Sequence, residues 1–500
     1  MNQSMAHQKP QVQLGGYNVD ADHLRKLTAG RPADEPPLTP ESVAAAYARL
    51  SRRDDTLAEL RAEAVRDVAK ARKSMTSIVH MMGHQAISEH AVFNLDFNYV
   101  TRLGMELIEA HRLAAYTERS QRYVKFGDDY LLPPEVAEAG LHEEFAALYR
   151  LMFQTYEDLY AELRPYFLAR GGDPETMKKS ELTVLENLAK EDARYAFGLA
   201  VQTALGGTFN ARELELLVRR LLSSPLWEAR DIGEQIKAQV QPLAPSLIKY
   251  CDPCDYFADL PDAARTIAAR CEREAATEDA PRVALVHATP ETDEHVLAAM
   301  LYTGGAGSIV HCMKIARGMN AEEKLHAYRA LVAQRQTHDN VSRHFELPRF
   351  VFDLNVSASL YAQLKRHRLT TQLVADYDPA LGITVPPSIE AIGRADALRA
   401  VAERAAALHE RVLSATDCAP AAAYCLTNAH RRRVLVTMNL RELHHFAKER
   451  MAEFAQWDIR ETAVLMAAAV REVAPLTGRL LVGKDNYREH LDRLLTDAEG

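Results

Sequence analysis

Five hundred residues exceed what one ordinary core supports, so two domains of similar size are expected. Apolar residues at 47% and charged residues at 26% belong to a globular chain, which excludes a disordered one. A net charge of −9 leaves no global basic field for nucleic acid or an anionic membrane, and no apolar run is long enough to span a bilayer. Met1 to Gly16 lacks the apolar core of a secretory signal, and six scattered Cys point to a reducing cytoplasm without disulfides. Cys251 and Cys254 form a C-x-x-C with no second pair at similar spacing, which reads as linker rather than metal site.

Residues 1–37 carry Gly15-Gly16, Pro32 and Pro36-Pro37 and read as an N-terminal tail. Thr39 as N-cap and Pro40 at the first helical position predict a helix start, with helical patterns continuing through Lys73. Ala91 to Tyr99 then alternates, with Phe93, Leu95, Phe97 and Tyr99 on one side, the period of a half-buried strand. Helices are expected at roughly 135–170, 177–205, 211–222 and 227–240, closing a first repeat over 38–250. A linker over 251–281 follows. The second repeat, 282–482, opens on the short apolar segment Val283 to Val286, with helices over 291–302 and 321–333. Phe350, Phe352, Leu354 and Val356 repeat the strand alternation, 430–475 reads as helical, and 483–500 is a C-terminal tail.

The word repeat rests on self-similarity. His84-x-x-x-Ser88-Glu89-His90 precedes the first alternating strand, and His338-x-x-x-Ser342-Arg343-His344 precedes the second. Each strand runs into a helix ending in a His-Arg pair, His111-Arg112 or His367-Arg368. Asn210-x-Arg212-Glu213-Leu214 matches Asn439-x-Arg441-Glu442-Leu443, and the only two tryptophans follow in Trp227-Glu228 and Trp457-Asp458. Order and spacing agree apart from a shorter middle in the second half. The chain reads as a diverged tandem duplication.

Arg, His, carboxylate and hydroxyl groups converge between Glu109 and Tyr123, where guanidiniums can grip phosphate and Glu or Ser can fix sugar hydroxyls. A solvated, salt-bridged helix end would show the same composition. The residue order shifts the balance. His111, Arg112, Glu118, Ser120, Arg122 and Tyr123 resemble the R-H-R-x-x-S-x-N-E-x-S-x-R-Y signature of flavin-dependent thymidylate synthases, with Ala110, Ala115 and Thr117 replacing its Arg, Ser and Asn. Gly83-His84…Glu89-His90-x-x-Phe93 is similar to the family's G-H-x-x-x-x-E-H-x-x-F, and Arg194 stands where the family has a second phosphate-binding Arg. In the second half Gln363 precedes a full Arg366-His367-Arg368, but the Glu, Ser and Arg of the following loop are gone, and Ala423 replaces the Arg194 position. Asn439 to Arg450 and Ala455 to Arg460 resemble the family's N-x-R-S-L-x-x-F-x-x-x-R…A-Q-W-E-I-R closely. In the first half Leu216 stands where His445 stands, and either Arg220 or Leu221 takes the place of Arg450. Trp457 and Ile459 read as core, and His444 as a surface group.

The resemblance implies an α+β fold of two tandem repeats, each a mixed sheet with long flanking helices. It implies an enzyme that methylates dUMP to dTMP, with FAD as cofactor, NADPH as reductant and methylenetetrahydrofolate as carbon donor. The substrate side would be Glu118, Ser120, Arg122, Arg194 and Gln363, with Arg450 polarising the pyrimidine. The flavin side would be His84, His111, Arg112, Arg366, His367, Arg368, Asn439, Arg441 and His445. The losses are complementary, so composite sites built from unlike halves are expected, in a homodimer that forms a pseudo-tetramer. A flavin enzyme for another pyrimidine nucleotide and a retired nucleotide-binding relative are the alternatives.

Overall fold

The computed structural model describes residues 8–20, 22–24, 38–125, 127, 129–172, 176–272 and 274–496. Much of the expected N-terminal tail (1–7, 21 and 25–37) and residues 497–500 lie outside them. The chain divides into two compact units, Met1–Ala275 with Arg394–Thr427, and Ala276–Gly393 with Asn428–Gly500.

The first unit is built on strands β1 (Gln11–Tyr17), β2 (Val92–Thr101), β3 (Ala114–Glu118) and β4 (Gln202–Asn210), in the order β1-β2-β4-β3. Its longer helices are α1 (Glu41–Leu50), α2 (Leu57–Arg66), α3 (Val68–Met75), α4 (Arg102–Glu109), α5 (His142–Gly171), α6 (Lys179–Ala193), α7 (Ala211–Leu222), α8 (Trp227–Val240) and α9 (Asp255–Ala268). The second unit has β5 (Val283–Ala288), β6 (Arg349–Ser357), β7 (Thr371–Tyr377) and β8 (Arg431–Asn439), in the same order β5-β6-β8-β7. With it run α10 (Thr292–Thr303), α11 (Ile309–Gly318), α12 (Ala321–Val332) and α13 (Ala358–Leu364). Then, after α14 (Ala395–Ala415), come α15 (Leu440–Arg450), α16 (Trp457–Val473) and α17 (Tyr487–Thr496). Every strand pairing among the described residues is antiparallel, so the mixed sheet expected is an antiparallel one in both units.

The alternation in β2 and β6 does what period 2 requires. Phe93, Leu95 and Phe97 are fully buried while Asn94 and Asp96 face out, and Phe350, Phe352 and Leu354 repeat this in β6. Tyr99 leaves the pattern: its φ of 58° marks a bulge where β2 slips against β4. Two expected helical stretches are partly strand. Residues 202–205 open β4 and 431–439 form β8, because each must pair with two neighbours at the sheet centre. Gly206-Gly207 with Thr203 and Thr208 suits such a strand, and a Cβ on Gly207 would meet the Phe209 ring at 2.4 Å. The helix start falls one residue late: Pro40 occupies the N-cap position of α1, and Thr39 Oγ1 accepts from Glu41 N–H.

The expected terminal tails are not wholly tails. Gln11–Tyr17 is an edge strand whose outward amides are satisfied by α8, with Val12 N–H donating to Gln235 Oε1 at 2.8 Å and Leu14 N–H to Gln239 Oε1 at 2.6 Å. At the other end, Tyr487, Leu491 and Leu494 of α17 are buried in the second core. Within the expected linker, α9 has no buried residue.

The second repeat also gives its long middle helix to the first unit. Leu398, Val401, Ala405, Leu408 and Val412 form a buried stripe on α14 at spacings of three and four, packed with α5. Tyr149 Oη donates to the Tyr424 carbonyl at 2.6 Å, and Leu199 N–H to the Leu426 carbonyl at 2.9 Å. The boundary expected at residue 282 therefore does not coincide with the division of the cores.

Candidate functional site

Both units build the same helix start after the second strand of their sheet. Thr101 caps α4 by accepting from Gly104 N–H, and Ser357 caps α13 by accepting from Leu360 N–H. An acid after the tryptophan holds each cap: Thr101 Oγ1 donates to Glu228 at 2.6 Å, and Ser357 Oγ to Asp458 at 2.6 Å. The His-Arg pair follows one helix later in both.

In the first unit this places a cluster of arginines, two of them buried. Arg102, first residue of α4, donates to Glu118 Oε1 at 2.7 Å with only 3% of its side chain exposed. Arg122 pairs with Glu191 on α6, and its N–H donates to Ser120 Oγ at 3.1 Å, which orders the turn after β3. Arg194, at the end of α6, donates from Nε to the Glu191 carbonyl at 3.1 Å. Burial pushes the pKa of Arg194 down, Glu191 opposes this, and the charges of Arg122 and Arg102 push the same way as burial. Arg194 therefore lies close enough to both to feel their charge. Glu118, Ser120, Arg122 and Arg194 lie in the same region of the unit, with Arg102 beside them. The motif comparison missed Arg102; an arginine directly behind a capping Thr at the end of an apolar strand, with Ala358 at the same place in the second half, was the available signal.

In the second unit the cluster is a relay. His367, 5% exposed, lies with Nδ1 3.1 Å from Glu442 Oε1, and Arg450 donates from Nε to His367 Nε2 at 2.9 Å and from a terminal nitrogen to the Gln363 carbonyl at 3.3 Å. Accepting at Nε2 fixes the imidazole proton on Nδ1, where it donates to Glu442. Burial pushes the His367 pKa well down, with Arg450 and His445 acting in the same direction, and burial pushes Glu442 up. The His445 ring, exposed, lies 5.6 Å from that of His367. Gln363, His367, His445 and Arg450 thus converge. His367, Glu442 and His445 have the residue types for a divalent cation. The Nδ1 that would ligate carries the proton here, and a guanidinium sits on the other nitrogen, so the trio is not built as a metal site.

Other expected residues are committed locally. Asn439 caps α15, accepting from Glu442 N–H at 2.8 Å, and Arg441 pairs with Glu346. Asn210 and Arg212 do the same in the first unit, with Glu213 N–H and Glu89. Arg441 and Arg450 are nine residues apart on one helix, roughly 13 Å along its axis. His84 is exposed ahead of a short 3-10 turn, Arg112 and Arg368 are exposed, and Arg366 is half-buried. His111 is buried but lies 3.7 Å from Glu213, too far for a hydrogen bond. Because both Asn caps sit at the same helix position, Leu221, buried, takes the place of Arg450, while exposed Arg220 lies over the Phe257 ring.

Two segments, residues 37–246 and 284–476, match the family model described as thymidylate synthase complementing protein. The chain belongs to this family. A UPF0159 protein of Chlamydia muridarum is 24% identical over 450 residues, spanning 86% of this chain and 84% of its own length. A UPF0159 protein of Thermoplasma acidophilum is 24% identical over 461 residues, 83% of this chain and 89% of its own. The flavin-dependent thymidylate synthase of Clostridium tetani is 28% identical over 229 residues, 45% of this chain and 87% of its own. A solved structure, the UMP/dUMP methylase PolB of Streptomyces cacaoi, is 16% identical, covers 48% of this chain and 94% of its own, and has a TM-score of 0.33. Among the described residues no helix is long and apolar enough to cross a membrane.

His444 is not the surface group expected. It is 2% exposed, edge-on to the Phe345 ring, and burial pushes its pKa down to about 3. A folded-state pKa below the unfolded one means the unfolded chain binds more protons on acidification, so stability is full above about pH 6.5 and falls below it. His367 and His111, also pushed down by burial, add in the same direction. For His444 alone the loss is about 2 kcal/mol at pH 5. Urea unfolding at pH 7.5 and pH 5 of the parent and of His444→Leu should show a smaller pH difference in the variant; equal differences would refute it.

Proposed function

We propose that the chain is a flavin-dependent, thymidylate-synthase-like enzyme that methylates dUMP to dTMP, with methylenetetrahydrofolate as carbon donor and NADPH as reductant. The observation that carries the reading is the arginine cluster of Arg102 and Arg194, both buried, and half-buried Arg122, set beside Glu118 and Glu191. Such a donor-rich group suits a dianionic phosphate, which charge-assisted bonds hold about twice as strongly as neutral ones. Glu118, fixed by Arg102, is then an acceptor for a sugar hydroxyl. Arg450, held by His367 and Gln363, places a fixed positive charge where negative charge develops on the pyrimidine during methylene transfer. Activity on this reading needs the residues kept by both repeats, since the first lacks an Arg450 and the second an Arg122 or Arg194.

The donor set of the second unit fits a cofactor bearing phosphates and ring carbonyls, since Arg366, Arg368 and Arg450 offer only N–H donors. Arg366, Arg368 and His445 would hold FAD, which supplies the hydride chemistry when bound. Asn439 and Arg441 act first as cap and ion pair, and reach the cofactor only through the part of the side chain those roles leave. No protein nucleophile is called for. A homodimer acting as a pseudo-tetramer in the cytoplasm completes the proposal. The exposed Ala115 and Thr117, where the family signature has Ser and Asn, favour another pyrimidine nucleotide as second reading.

The purified protein is expected to be yellow, with a flavin absorption spectrum, and to support growth of a thymidine-requiring strain without thymidine. A colourless protein that rescues nothing would sink the reading. A yellow protein that rescues nothing would favour the second pyrimidine.

A further inference from the structure

Tyr424 belongs by sequence to the second repeat, yet it lies in the first unit with 1% of its surface exposed. Its hydroxyl donates to Glu228 Oε2 at 2.8 Å. The other two bonds to Glu228, itself 1% exposed, come from one residue: Thr101 N–H donates to Oε1 at 2.7 Å and the Thr101 hydroxyl to Oε2. That hydroxyl accepts from Gly104 N–H and caps α4, whose first residue is Arg102 on Glu118. A short path of direct bonds thus runs from Tyr424 to the arginine cluster. All three donors to Glu228 are neutral.

The second unit supplies the contrast. There Asp458 holds Ser357 but is also bound by the cation Arg282 at 2.7 Å, Leu360 stands at the place of Gly104, and Ala358 at the place of Arg102. A Cβ on Gly104 would lie 2.8 Å from Glu228 Oε1, so the longer acid requires the glycine. Both occur in the repeat that has the arginine. We propose that Tyr424 is a positioning residue for the first unit's anion cluster: by holding Glu228 on Thr101 it fixes the first turn of α4, and with it Arg102 and Glu118. This rests on the reading of that cluster as the phosphate site of the nucleotide. Burial pushes the Glu228 carboxyl up, and the Thr101 and Tyr424 bonds oppose it. Glu135, which accepts from Trp227 N–H, is the other charged group acting on it, and also pushes it up. Without the Tyr424 hydroxyl one of the bonds opposing burial is gone, so Glu228 takes up a proton more readily and its hold on the cap weakens.

The test is Tyr424→Phe in the full chain, with dUMP binding by calorimetry at pH 8, 7 and 6 and amide exchange over residues 101–104. The expected Kd for dUMP is about tenfold weaker at pH 7, the size of effect a lost donor to a buried carboxylate produces. The gap should widen toward pH 6, with flavin content unchanged and kcat at saturating dUMP within about twofold of the parent. Glu228→Gln, which removes the charge, should lose affinity equally at every pH, and it carries the comparison if the Phe variant does not fold. Parent-like dUMP binding by Tyr424→Phe from pH 6 to 8 overturns the inference. If the parent itself binds no dUMP, the nucleotide reading fails separately. Amide exchange then decides the positioning alone: exchange about tenfold faster at Thr101–Gly104 supports it, and parent-like exchange overturns it.

Discussion

Replacing Arg450 by Ala is expected to lower kcat by about 10²–10³-fold, and kcat/KM by the same factor, with little change in dUMP affinity. The guanidinium is clamped from one side by His367 Nε2 and from the other by the Gln363 carbonyl, so its charge is in place before the reaction begins. A group that acts where charge develops leaves ground-state binding almost untouched. Arg450→Lys keeps a charge but not the planar fork, and should recover only part of the loss. The Ala variant also leaves the buried His367 Nε2 without its donor, at a cost of about 1–3 kcal/mol of stability. Steady-state kinetics with dUMP varied, together with urea unfolding, separate the two effects. An Arg450→Ala enzyme with parent kcat would remove this residue from the reaction.

The second large effect is expected on binding. Arg122→Ala and Arg194→Ala should each weaken dUMP by about 10- to 150-fold, the range of a lost charge-assisted bond, while leaving deoxyuridine almost unaffected. The parent's preference for the nucleotide over the nucleoside should therefore shrink in each variant. Raising the salt should weaken dUMP binding to the parent and weaken it less in the variants, since one of the charges being screened is gone. Arg194→Ala should also lower stability, because it removes a buried side chain packed at the end of α6. Calorimetric titration of dUMP and deoxyuridine at two ionic strengths measures all of this. Equal dUMP affinity in parent and variants would mean that the phosphate binds elsewhere.

Candidate site residues could be named in the sequence because a motif records chemistry by residue type and order. Glu118, Ser120, Arg122 and Arg194 are named through the resemblance to a family motif, and in the structure Arg122 and Arg194 both bond Glu191 while Arg122 N–H bonds Ser120. Gln363, His367, His445 and Arg450 likewise converge. Asn439 and Arg441 show the limit of the same method. The sequence pattern that marks a cofactor contact also marks a helix cap with an adjacent ion pair, and only the coordinates distinguish what the side chains hold. The choice between Arg220 and Leu221 was of this kind too, settled by two capping asparagines that put the helices in register.

The sequence by itself showed one residue pattern recurring in two segments of the chain, and which half carries which charged groups, because both are written in residue identity. It determined the central strands β2 and β6 through their apolar alternation, a local property of period 2. It did not determine where the cores divide. The α14 helix and Tyr424 follow the second copy in sequence and join the first unit in space, because a buried stripe packs against whichever apolar face it meets. Nor could it reveal that Gln11–Tyr17 completes a sheet, that Arg102 joins the arginines, or that His444 is enclosed. Each of these depends on partners distant in sequence, and burial and pairing at that range are properties of the tertiary structure alone.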